Sequence, residues 1–199
     1  PGIFTSGNDL EDFLQRPPHG LDAPVFEFMY ALADCEKPVV AAVTGPAIGI
    51  GTTMLLHCDL VYVSDEARFA MPFTSLGLVP EFGSSVLLPR LMGTRRAAEK
   101  CLLGDPFTAE SAVECGIDNA VLPAGEVLPH ARRIAERFNA LPPGAVRASK
   151  RLMREPDRAA LIDAVKREGA IFTAQLASAE AREAMQAVLE KRKPDFSKF

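Results

Sequence analysis

Residues 37–59 read KPVVAAVTGPAIGIGTTMLLHCD, and this stretch decides the fold. Pro38 to Val43 is a short Val-rich apolar run between a proline and a Thr-Gly-Pro break, a pattern that predicts a strand buried on both faces. Gly45-Pro46 is a turn signal. Gly49 and Gly51 then lead into Thr52-Thr53-Met54-Leu55-Leu56, which reads as a helix. A buried strand, a glycine turn and a helix make half of a βαβ unit. Glycines at a helix start let another backbone or a ligand come close. The unpaired N–H groups there suit an oxygen that gains negative charge. On spacing alone, plain helix–strand packing is the better reading. The glycines at 45, 49 and 51 do not form GxGxxG, and no Gly-Lys-Ser/Thr follows to make a phosphate loop.

Upstream, Ile3 to Leu10 (IFTSGNDL) predicts a strand end, a turn and a helix over 10–14 capped by Asn8 or Asp9. Gln15 to Pro24 is a loop with three prolines. Val25 to Cys35 predicts a helix with Val25, Phe28, Met29 and Leu32 on one face. Downstream, strands are expected at 59–64 and 68–71, and a helix from Glu81 or Gly83 to Leu91 with Pro89 late in it. Short helices follow at 94–103 and 108–115, with Thr108 as N-cap and Gly104 and Gly116 just past the ends. A brief strand at 118–122 completes the alternating part. From Glu126 onward the pattern is helical, over about 126–140, 143–154, 157–177 and 179–191, with Leu161, Val165, Phe172 and Leu176 as an apolar stripe. Arg132, Arg133, Arg147, Lys150 and Arg151 read mostly as a solvated face. The whole is α/β with a mostly parallel sheet and an α-helical tail.

Glu81 lies between Pro80 and Phe82, near a helix N-terminus. The local pattern fits either a carboxylate placed for the helix dipole or a general base in apolar surroundings. The 199 residues suffice for one domain with a real core. Twenty-two basic against 26 acidic residues give a net charge of −4, which argues against a general nucleic-acid binder. No apolar run reaches the length of a membrane span, and nothing at the N-terminus resembles a signal peptide, so a cytoplasmic protein is expected. Cys35, Cys58, Cys101 and Cys115 are scattered without a CxxC pair, and His19, His57 and His130 lie far apart in sequence, so no metal is expected. The chain opens Pro-Gly-Ile-Phe, and an N-terminal portion is expected to be missing.

Together these pieces resemble the crotonase (enoyl-CoA hydratase/isomerase) superfamily over essentially the whole chain. Four blocks carry the resemblance in order: FTSGNDL at 4–10, KPVVAAVTGPAIGIGTTMLLHCDLVYVSDEARF at 37–69, LGLVPEFGSSVLLPRLMG at 76–93 and EKRKPDF at 190–196. The resemblance implies a spiral of ββα units over 1–123 and a helical trimerisation region over 124–199, assembled as a homotrimer or hexamer. The family's opening strands would precede residue 1. It also implies an acyl-CoA substrate, with CoA as part of that substrate and no further cofactor. By the motif, the thioester oxygen would be held by backbone N–H groups of Asn8 and Gly49. Ser6 and Leu10 beside the first, and Phe73, Leu76, Leu78 and Phe82 near Glu81 in sequence, are the candidate substrate-binding residues.

Hydratases of this family use two glutamates, at positions that here hold Thr53 and Phe73. Neither can ionise as a carboxylate. Glu81 in LGLVPEFGSS is instead where the Δ3,Δ2-enoyl-CoA isomerases, the peroxisomal type with SGNDL above all, are most similar to this chain. One carboxylate suffices to move a double bond, so Glu81 is expected to be the sole base, and Thr53→Ala to leave the chemistry running. The alternatives are a hydratase-like crotonase of other specificity and an inert acyl-CoA-binding or scaffold member.

Overall fold

The computed structural model describes residues 2–18, 20 and 22–199; His19 and Leu21, within the predicted loop, and Pro1 lie outside that set. The chain begins with α1 (Leu10–Gln15), whose N-cap is Asp9: its carboxylate accepts the Glu11 N–H. The next helix, α2 (Pro24–Ala33), starts on a proline, which is tolerated at N1 where no acceptor is needed. It buries Phe26 and Met29, whereas Phe28, placed on the buried face by the sequence pattern, is exposed.

Strand β1 (Val40–Val43) and strand β2 (Ala47–Ile48) flank the Gly45-Pro46 turn. Helix α3 (Ile50–Thr53) follows at once and tightens into a 3₁₀ turn over Met54–His57. Then come β3 (Leu60–Ser64), β4 (Arg68–Ala70), α4 (Ser84–Met92), α5 (Thr94–Ala98), β5 (Phe107–Thr108), α6 (Ala109–Glu114) and β6 (Ala120–Leu122). Two small sheets result. One is wholly parallel in the order β1-β3-β6, with Val40 opposite Leu60 and Tyr62 opposite Ala120. The other runs β2-β4-β5, parallel at the first pair and antiparallel at the second.

The apolar run at β1 is covered on both sides, as its continuity requires. Ala41 and Val43 enter the main core beside Val61, Val63, Phe69 and Leu88. Val40 and Ala42 pack with Leu60 and Tyr62 against Val127 and Ala131 of α7 (Val127–Arg137).

The C-terminal part differs from expectation. Residues 143–176 form one helix, α8 (Pro143–Leu176), with no break between 154 and 157, before α9 (Ala179–Leu189). Pro156 sits inside it. A proline frees the carbonyl four residues earlier, here that of Leu152, and both residues are exposed, so solvent can satisfy that carbonyl. The stripe bends inward through Val165, Phe172 and Leu176, and Phe172 and Leu176 join the main core. Lys150 is buried rather than solvated. Its Nζ lies 2.7 Å from Asp59 Oδ2, and Arg154 donates to Asp59 Oδ1 at 2.9 Å and to the His57 carbonyl at 2.6 Å. Asp59 also accepts the Val39 N–H at 2.7 Å. Buried cations need such pairing, and here it pins α8 to the strand ends.

Candidate active site

Residues 4–8 run alongside β2. Thr5 forms a parallel bridge with Ala47, the Ile48 N–H donates to the Thr5 carbonyl, and Phe4 and Thr5 both donate to Pro46. Gly7 has φ +85°, and a Cβ there would stand 2.9 Å from the Ile48 carbonyl oxygen, so only glycine lets the chain come this close. That approach holds Gly7, and Asn8 after it, against the end of β2, two residues before α3 begins.

Gly49 turns the chain with φ 58° and ψ −122°. Its own N–H is engaged, donating to the Ala70 carbonyl at 2.8 Å. The expectation that Gly49 supplies an oxyanion donor is therefore corrected: a donor already satisfied within a sheet edge is not free for a ligand. The next N–H, that of Ile50 at the first position of α3, has no acceptor among the described residues, and neither has the N–H of Asn8. The free pair is Asn8 and Ile50. Glycine spacing could not separate 49 from 50, because which N–H turns outward depends on the glycine's own dihedral angles.

Glu81 sits at the end of a tightly held turn. Phe82 has φ 59°, a left-handed conformation that a bulky side chain rarely adopts. Three groups over-determine it. His57, from the turn after α3, places Nε2–H 2.7 Å from the Phe82 carbonyl and stacks its ring on the phenyl at 3.8 Å. Glu168 of α8 accepts the Gly83 N–H at 2.6 Å and the Ser85 N–H at 2.9 Å, which caps the start of α4. The Ser84 hydroxyl donates to the Glu81 carbonyl at 2.6 Å. Burial pulls His57 down to about 4, against the opposing hydrogen bond to Phe82, so the imidazole is neutral.

The Glu81 side chain is 4% exposed. Its Oε1 accepts the Thr53 hydroxyl, while Oε2 has no hydrogen-bond partner among the described residues. Burial pushes its carboxyl up to about 8; the Thr53 hydrogen bond opposes the rise, and the Glu168 carboxylate adds to it. An oxygen left bare in an apolar setting is costly unless something comes to use it.

Glu81 lines a narrow cavity with Asn8, and Phe13, Val25, Phe26, Met29, Gly169 and Phe172 form most of its wall. Of the residues predicted from sequence, only Glu81 and Asn8 reach it. Phe73 and Leu78 are buried in the main core, Leu76 packs against that core, and Phe82 turns its ring onto His57 behind the carboxylate. Leu10 also packs against the main core, and Ser6 is exposed away from the cavity wall. Neighbours in sequence failed as a guide because the wall comes from α1, α2 and α8, far from Glu81 along the chain. Glu168 did leave a trace in the sequence: it stands on the same stripe as Leu161, Val165 and Phe172, an acidic residue on a buried face. Among the described residues no group of three or more His, Cys, Asp or Glu could hold a metal ion.

Residues 1–198 match the family model described as enoyl-CoA hydratase/isomerase. The chain belongs to this crotonase family. The crotonase chain is 36% identical over 162 residues to human enoyl-CoA delta isomerase 2, covering 78% of this chain and 41% of that protein. It is 34% identical over 195 residues to 2,3-dehydroadipyl-CoA hydratase of Escherichia coli K12, covering 98% of this chain and 76% of the relative. Among solved structures, Pseudomonas aeruginosa OdaA superposes with a TM-score of 0.91 at 53% identity, over 93% of this chain and 75% of that one. An enoyl-CoA hydratase/isomerase from Pseudoalteromonas atlantica also gives 0.91, at 44% identity, over 99% and 78% of the two chains. Enoyl-CoA isomerases and enoyl-CoA hydratases both stand among the relatives of this crotonase, and the chain spans about two fifths of the length of the human delta isomerase it matches. No helix among the described residues is long and apolar enough to cross a membrane.

Proposed function

We propose that this crotonase moves a double bond from position 3 to position 2 of an enoyl-CoA thioester, with Glu81 as the single base. One observation carries the proposal: Glu81 is the only ionisable side chain lining the cavity that holds Asn8, among the described residues. Adding water to a double bond calls for one group to activate the water and another to deliver the α-proton. Moving a double bond calls for one group that takes a proton and returns it. Glu81 removes the proton from C2 of the 3-enoyl thioester. The electron pair moves into a dienolate, and the same proton, or its equivalent, returns at C4. The negative charge on the thioester oxygen is held by the N–H groups of Asn8 and Ile50, and such preformed donors contribute about 3 kcal/mol each. A carboxyl raised by burial is the stronger base once ionised.

The assay compares 3-enoyl-CoA conversion with 2-enoyl-CoA hydration, for wild type and Glu81→Gln. Gln keeps the shape but cannot take a proton, so isomerisation is expected to fall by about 10²–10⁴-fold while acyl-CoA binding survives. Faster hydration than isomerisation in wild type, or turnover surviving in Glu81→Gln, would overturn the assignment.

The same proposal includes a homotrimer or hexamer built on the C-terminal helices. The exposed Leu152 and Met153 on α8 support it, because large apolar side chains in contact with water favour a partner. Sedimentation is expected to give a trimer or its multiple, and a lone monomer species would exclude it.

A further inference from the structure

Thr53 occupies the position where two-carboxylate relatives of this chain are expected to hold a glutamate, and the sequence alone makes it chemically silent. Its surroundings in the fold say otherwise. Thr53 is wholly buried and Glu81 almost so. The Thr53 hydroxyl donates to Glu81 Oε1, while Glu81 Oε2 is left without a partner. Thr53 is held by the short helix that begins at Ile50, the same residue whose N–H is free. Next to it, Thr52 ties that helix to β2 and β4 of the second sheet, donating to the Ala47 carbonyl at 2.6 Å and lying 3.2 Å from that of Ala70. The hydroxyl is therefore fixed relative to the donors, and the carboxylate is fixed relative to the hydroxyl.

We infer that Thr53 is a positioning residue for Glu81: its hydroxyl occupies Oε1, fixes the carboxylate plane, and leaves Oε2 as the oxygen that carries the proton between C2 and C4. The inference rests on Glu81 being the base, as proposed above. Two consequences separate it from simple packing. A hydrogen bond donated to a carboxylate favours the ionised form, so Thr53 also moderates the rise that burial imposes on Glu81. Without the hydroxyl, the carboxyl should ionise at higher pH still. The other charged group acting on Glu81 is Glu168 of α8, a carboxylate already engaged by Gly83 and Ser85, and its repulsion works in the same direction as burial. His57, behind Phe82, is neutral across the range concerned and contributes no charge.

The experiment is the pH dependence of kcat/KM for 3-enoyl-CoA isomerisation in wild type, Thr53→Val and Thr53→Ser. Val is nearly isosteric with Thr but cannot donate. The acid limb of the Thr53→Val profile is expected to move up by about one to two pH units, the size of one hydrogen bond to a charged group. Thr53→Ser, which keeps the hydroxyl, is expected to return the limb close to the wild-type position. If Thr53→Val leaves the limb in place, or Thr53→Ser shifts it as far as Val does, the inference fails. A second readout covers a Val variant that folds poorly: the infrared carboxyl stretch of Glu81, identified by its loss in Glu81→Gln, titrated in wild type and Thr53→Ser. A stretch frequency in wild type typical of a carboxyl free of hydrogen bonds would equally overturn it. Failure of the base assignment looks different, because Glu81→Gln would then keep its turnover whatever Thr53 does.

Discussion

Helix α8 packs near two carboxylates, the half-buried Asp59 and the buried Glu81, and they are treated in opposite ways. At its first half, Asp59 receives Lys150, Arg154 and the Val39 N–H, so its charge is met by two cations and a backbone donor. At its second half, Glu81 has one hydroxyl donor, a bare oxygen and a second carboxylate, Glu168, nearby. The first arrangement holds the fold together. The second is held in place by the fold and is poor for stability, which is what a base poised to take a proton requires. Bareness alone does not make a base. Both oxygens of Asp118 are also unpartnered among the described residues, and burial pushes it up to about 7. Asp118 lines a different cavity, with Cys58, Arg90 and Asp157, away from the wall that holds Asn8. A bare carboxylate oxygen and an apolar wall coincide at Glu81, in a cavity that Asn8 also lines.

The contrast breaks first at Glu81. Glu81→Gln should lose about 10²–10⁴-fold in isomerisation without any fall in thermal midpoint, since it removes a buried carboxyl that only the Thr53 hydroxyl engages. A midpoint lowered by several degrees would mean that Glu81 is structural after all, like Asp59. Asp59→Ala should do the reverse. It strands Lys150 and Arg154 and should lower unfolding stability by about 3–5 kcal/mol in urea titrations, with the activity of the remaining folded fraction near normal. A loss under about 1 kcal/mol would put Asp59 with exposed ion pairs.

The most gradual effect is the pH dependence of stability. Glu81 ionises near 4.5 when unfolded and at about 8 when folded. Between those values the folded state holds a proton the unfolded state has released, so stability falls as pH rises through that window. The destabilisation is absent below about 4.5 and complete above about 8. Glu81→Gln lacks it, so the stability gap between variant and wild type should widen with pH, by no more than about 1.4 kcal/mol per unit. A gap that stays constant from pH 5 to 8 would show Glu81 ionising normally in the fold.

Much of this was legible in the sequence because it is local. The strand-turn-helix at 38–57 and the Asp9 or Asn8 cap follow from residues near one another, whereas Glu81 as the proposed base came from the family resemblance rather than from its local pattern. The Gly49 assignment missed by one position, because the direction of an N–H is set by dihedral angles that residue types do not specify. The cavity wall was missed more completely. Phe13, Phe26 and Phe172 meet through tertiary packing, and nothing in the neighbourhood of Glu81 points to them. Lys150 was misjudged for the same reason, since its partner Asp59 lies 91 residues away.

The grip of Glu168 on Gly83 spans 85 residues of chain, and that separation has a meaning in time. Chains emerge from the ribosome in order, and contacts distant in sequence close late because the intervening loop must first give up its freedom. A chain grown only to Gly144 already carries Glu81, Thr53, Asn8 and Ile50, yet Gly169 and Phe172 have still to cover the carboxylate. Until they do, the cavity around Glu81 lacks the part of its wall that α8 supplies. The enclosure of Glu81 is therefore completed only when the second half of α8 docks, and the half-made protein carries the carboxylate with its cavity still open on that side.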